Sequence, residues 1–203
     1  MKVNRLAVVI LSVFGLIACK PDVLSPEALS AYVADGENGL QKSVSVGQTV
    51  INVTYRPTDL WVLQETGTGP IDATKIEALR KKYGQYYYFI LSLSDQDKEA
   101  LHQASGEQYS ELVQTLSFRM NEYVTLTTTA QDTIPVGDFM LNRTYGLNKS
   151  TDLLFVFSRE QAIGRDWVQF NLNEFGLGAG NQRFRFRTID LEEVPAIDFE
   201  YKH

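Results

Sequence analysis

The segment Tyr86 to Leu93, reading Tyr-Tyr-Tyr-Phe-Ile-Leu-Ser-Leu, constrains this chain more than any other. Side chains of a strand alternate between two faces, and here both sets are apolar or aromatic apart from Ser92. Such a strand is out of place at a solvated edge and predicts a position in the interior of a sheet. The 203 residues are 44% hydrophobic and hold one cysteine, Cys19. That leaves no intrachain disulfide, so stability must come from an apolar core, and the length suffices for one ordinary domain. A disordered, collagen-like or disulfide-dense chain is excluded by the same figures.

Other elements are read around that strand. Ser25, Pro26 and Glu27 supply a cap, a first-turn proline and a first-turn acid for a short helix through Ala28, Leu29 and Tyr32. Val44 and Val46 alternate with serines, Gly47-Gln48 makes a turn, and Thr49 to Tyr55 is rich in β-branched residues, which together predict a hairpin. The run Leu60 to Leu63 has no usable period; Thr58-Asp59 after Pro57 tips it to helix. Asp72 to Tyr83 is a helix stopped by Gly84. Ser105 to Tyr123 is a second, with Tyr109, Leu112, Val113, Leu116, Met120 and Tyr123 on one face. Val124 to Thr129, Phe139 to Tyr145 and Leu153 to Ser158 read as strands, the first followed by a turn-rich stretch from residue 130 through Pro135-Val136-Gly137-Asp138. Trp167 to Leu172 and Arg183 to Ile189 alternate and form a long-looped hairpin, and a tail from Pro195 docks through Ile197 and Phe199 as an edge strand. The expectation is one α+β domain over residues 43–203, with two main helices packed on one face of a largely antiparallel sheet. Residues 19–42 are expected to be a tether and lead-in.

The N-terminus carries an address. Lys2 and Arg5 precede an uncharged run from Leu6 to Ala18, about 20 Å as a helix against a hydrocarbon core of about 30 Å. That length suits the apolar region of a signal peptide over residues 1–18. The run closes on Leu16-Ile17-Ala18-Cys19, which resembles the lipobox of bacterial lipoproteins. The resemblance implies cleavage before Cys19, acylation of that cysteine and a lipid anchor in the cell envelope. Several acyl chains anchor stably where one does not. Lys20-Pro21-Asp22 lacks the aspartate directly after cysteine that the family uses for inner-membrane retention, so the resemblance favours the outer membrane. Beyond this segment the chain resembles no characterised family and looks like the uncharacterised lipoproteins of Gram-negative bacteria.

Charge narrows the partners. The net charge is −6, and without residues 1–18 the count becomes 17 basic against 25 acidic side chains, net −8. An acidic body argues against nucleic acid, whose binding rests on phosphate neutralisation, and leaves lipid as the expected membrane contact.

Candidate chemistry is sparse. Arg183, Arg185 and Arg187 alternate with Phe184 and Phe186, so three guanidinium groups share one strand face; they suit carboxylate or phosphate, as a ligand or partner contact, or they pair with acids and cover apolar surface with their stems. Trp61, Trp167 and Tyr86-Tyr87-Tyr88 are sugar-stacking candidates, though aromatics at strand spacing more often form core. Gly176 to Gly180 is similar in composition to a phosphate-cradling loop, but it lies between two strands rather than ahead of a helix, and a hairpin tip is the simpler reading. Asp35 to Gly39 and Asp95-Gln96-Asp97 offer oxygen donors without calcium-loop spacing. His102 and His203 lack the partners of a catalytic base. Asn52, Asn142 and Asn148 begin glycosylation triplets of no consequence in bacterial export. No cofactor, metal site or catalytic residue is expected. The function read from these features is a non-enzymatic envelope lipoprotein, binding an envelope protein or glycan. An envelope-polymer hydrolase with paired carboxylates and a structural subunit of an envelope complex are the alternatives.

Overall fold

The computed structural model describes residues 23–67, 72–95, 98–99, 106–142 and 149–199. In chain order the elements are β1 (Val23–Leu24), α1 (Pro26–Ala34), β2 (Gln41–Val46), β3 (Thr49–Tyr55), α2 (Thr58–Thr66), α3 (Ala73–Tyr83), β4 (Tyr86–Asp95), β5 (Lys98–Glu99), α4 (Gly106–Phe118), β6 (Val124–Thr128), β7 (Thr133–Pro135), β8 (Asp138–Asn142), β9 (Thr151–Ser158), β10 (Trp167–Leu172), β11 (Gln182–Arg187), α5 (Thr188–Glu192) and β12 (Ala196–Ile197). The fold is α+β and largely antiparallel.

β1 and β12 form a two-stranded sheet of their own, and the other strands divide between two larger sheets. One runs β2-β3-β4-β9-β8, with β5 also on β4; the other runs β11-β10-β6-β7. β4 lies inside the larger sheet, as its two apolar faces predict. Its inward residues Tyr87, Phe89, Leu91 and Leu93 are fully buried and stand opposite Phe157, Phe155, Leu153 and Thr151 of β9. The smaller sheet sends Phe170, Phe184 and Phe186 inward to meet them. The Phe89 ring lies 5.8 Å from Phe170 and 5.0 Å from Phe186, and Phe155 lies 5.6 Å from Phe170. These tilted and edge-on contacts tie the sheets together by a geometry that aromatic quadrupoles favour.

The helices occupy different places. α2 and α3 cover the outward side of β4, where Trp61 lies 5.0 Å from Tyr88 and stacks on Tyr83 at 6.1 Å. α4 places Leu112 and Leu116 in the central core. It stops at Phe118, so Tyr109 and Phe118 are exposed; a 3-10 turn over Met120–Glu122 follows.

Several boundaries move. Residues 23–42, expected as tether and lead-in, belong to the folded body: β1 pairs in parallel with β12, and Leu29 and Leu40 are wholly buried in the core. The short helix itself forms as read, with Ser25 Oγ accepting from the Ala28 amide at 3.2 Å. Thr133–Pro135, read as turn, is a strand on β6. Arg183 to Ile189 is split, because β11 ends at Arg187 and α5 begins. The β2–β3 hairpin is as expected, with Gly47 at φ 61° in the glycine position of a II′ turn.

Candidate functional site

The alternation of β11 decides the site. Phe184 and Phe186 are buried in the core, so Arg183, Arg185 and Arg187 must leave on the outer face. Register then places Arg187 opposite Trp167, Arg185 opposite Gln169 and Arg183 opposite Asn171, while Gln169 and Asn171 stand beside Thr127 and Thr125 of β6. The outer face of the smaller sheet is thus a polar ladder of arginine, amide and threonine rows.

The three arginines are not equivalent. Arg187 gives Nε and Nη2 to the Asp190 carboxylate at 2.7 and 2.6 Å. These hydrogen bonds push its pKa above the usual arginine value. Arg185 donates to Gln169 Oε1 at 3.0 Å, and its guanidinium lies 4.1 Å from the Trp167 ring centroid, a cation–π contact. Arg183 is exposed and has no hydrogen-bond or ion-pair partner among the described residues. Gln169 in turn donates to Asn171 at 2.8 Å, and Asn171 to Thr127 Oγ1 at 3.2 Å. A fixed line of amides therefore orients Arg185 and leaves Arg183 open. Such a face can offer paired N–H donors to a carboxylate, sulfate or phosphate oxygen.

Other candidates resolve differently. Trp167 is covered by Arg185, Tyr87 is core, and Tyr88 lies beneath Trp61 and Tyr83. Among the three tyrosines only Tyr86 is substantially exposed. The glycine-rich tip is no vacant cradle: Glu174 accepts from the Gly176 and Gly178 amides at 2.8 Å each, and from that of Gly180. The loop's own carboxylate fills the anion position. Asp35 caps the turn it precedes, accepting from the Glu37 amide at 3.0 Å. Asp59 and Asp190, the buried carboxylates among the described residues, are each locked to an arginine. Among the described residues no group of three or more His, Cys, Asp or Glu could hold a metal ion. No helix among them is long and apolar enough to cross a membrane. Cys19, His102, His203, Asn148, Gln96 and Asp97 lie outside the described residues.

Gln169 and Asn171 were not singled out from sequence. Their signal was the alternation with Val168, Phe170 and Leu172; what sequence lacked was the register against β11.

No family model and no curated protein matches the sequence. Among solved structures the chain is similar to a protein of unknown function from Burkholderia pseudomallei K96243, at 12% identity and a TM-score of 0.36, over 87% of this chain and 96% of that one. A likeness this remote carries nothing about function.

Proposed function

We propose that this chain is a lipid-anchored module of the bacterial envelope, outer membrane in preference to inner, whose smaller sheet binds an acidic glycan or an acidic patch of an envelope protein without catalysing a reaction. The observation that carries the binding half is the arginine ladder: on a chain of net charge −6, Arg183 stands unpaired and Arg185 is held outward on Trp167. The anchor half rests on the leader and Cys19. Among the described residues Val23 is the first that pairs, four positions beyond Cys19, a distance that even fully extended chain covers in at most about 14 Å at ~3.6 Å per residue. β1 and β12 then form the end of the body next to the bilayer.

Two measurements test the halves separately. In a Gram-negative host fed an alkyne fatty acid, the full chain should label and Cys19→Ser should not; equal labelling of both removes the anchor. Retention of the full chain on an immobilised acidic polysaccharide should fall by tenfold or more in Arg183→Glu/Arg185→Glu, since each arginine supplies charged hydrogen bonds. Undiminished retention removes the arginine face as the contact.

A further inference from the structure

A second polar site lies where the ends of β3 and β9 meet the start of α2 and the α5–β12 segment. A cleft of about 140 Å³ opens there, with Tyr55, Thr58, Arg159, Glu192 and Val194 on its walls. Three independent features favour negative charge inside it. Tyr55 is only 2% exposed, yet its hydroxyl has no hydrogen-bond partner among the described residues. Burial pushes its pKa up, so the group stays an O–H donor, and one without a protein partner at the cleft wall is available to a ligand. α2 enters the cleft behind Pro57 with no side-chain cap, presenting the positive end of a helix dipole. Arg159 lies 5.1 Å from the Tyr87 ring centroid. It gives one N–H to Gly84 O at 3.4 Å and one to Glu192 Oε1 at 3.1 Å, which leaves further N–H groups of the guanidinium for a ligand.

The acids around the cleft do not cancel this. Asp59 is held from behind by Arg80 and by the Ile197 amide. Glu192 has one 3.1 Å contact and a side chain 44% exposed, so it can be displaced. At about 140 Å³, the cleft has room for a charged group of a few heavy atoms.

We propose that this cleft binds a small oxyanion, as a free ion or as the charged end of a carboxylate or phosphate compound, which replaces Glu192 on Arg159 and accepts from the Tyr55 hydroxyl at the head of α2. The site is independent of the anchor and of the arginine ladder.

The test titrates the full chain with inorganic phosphate and, separately, with acetate. Chloride holds the ionic strength constant, and calorimetry and amide shifts at Thr58 and Arg159 give the readout. Saturable binding is expected from at least one anion, and the preferred anion tells which source the site serves. Tyr55→Phe keeps the ring and should weaken binding about tenfold, the loss of one hydrogen bond to a charged ligand. Glu192→Gln, at the surface, should tighten it, and Arg183→Ala should leave it unchanged. Absence of saturable binding for both anions overturns the proposal. So does a Tyr55→Phe protein with wild-type folding that binds like wild type, or a Glu192→Gln that binds more weakly.

Discussion

Asp59 offers the sharpest test of how the helices are fastened to the sheets. Its Oδ1 accepts from Arg80 Nε at 2.7 Å; its Oδ2 accepts from Arg80 Nη2 at 2.5 Å and from the Ile197 amide at 2.7 Å. One carboxylate on α2 therefore joins α3 and β12, and β12 carries β1. Asp59→Ala strands the Ile197 N–H without an acceptor, a loss of about 1–3 kcal/mol. Removing one partner of a buried ion pair costs about 3–5 kcal/mol, but Arg80 is 39% exposed on its side chain and can turn to water, so only part of that applies. The expected loss is about 3 kcal/mol, a fall in melting temperature of about 6–12 °C for a chain of this size. Asp59→Asn keeps an acceptor for Ile197 and should lose about half as much. Thermal melts of the full chain by circular dichroism give the global change, and hydrogen exchange at Ile197 reports a local opening of β12. An Asp59→Ala protein that melts within about 1 °C of wild type, with Ile197 equally protected, would refute the reasoning.

Two further outcomes follow from single contacts. Burial alone would raise the Glu174 carboxyl, but the amides of Gly178, Gly176 and Gly180 outweigh it and hold its pKa low. A carboxyl depressed in the fold adds stability above its unfolded value near ~4.3, and that stability is lost as pH falls through the folded value. Acid unfolding of the wild type should contain a component below about pH 4.5 that Glu174→Gln lacks; identical acid profiles would contradict it. Gly39 has φ 75°, and a Cβ there would sit 2.7 Å from Asp190 Oδ2. Gly39→Ala should thus cost about 2 kcal/mol, read as a lower melting temperature, and should loosen the Arg187–Asp190 pair; an unchanged melt would show that Asp190 yields freely.

Pattern made the strands legible: β10 and β11 alternate between two faces residue by residue, and β4 and β9 are short continuous apolar runs. It could not assign them to sheets. That division depends on Phe89 meeting Phe170 and Phe186, contacts some 80 to 97 positions apart that no local pattern encodes. The Leu60 to Leu63 run was read as helix for a cap that does not form: Asp59 turns inward to Arg80, and Pro57 stands at the cap without a side-chain bond. Thr133–Pro135 was missed because a three-residue strand bearing Pro and two exposed positions looks like a turn. At the candidate face, the arginines were visible as an alternating triplet, whereas their unequal fates were not. Arg187 is claimed by an aspartate three residues on, Arg185 by a tryptophan eighteen residues back, and only Arg183 stays open.

The parallel pairing of β1 with β12 has a mechanical meaning. Val23 stands beside Ala196, Leu24 beside Ile197, and the Asp198 amide reaches Leu24 O at 3.0 Å. Force drawn backwards through residue 23 and forwards through residue 198 would load the two strands in shear, straining these bonds together instead of peeling them one at a time. A body pulled between its two chain ends would therefore resist at this clasp before the sandwich behind it felt the load.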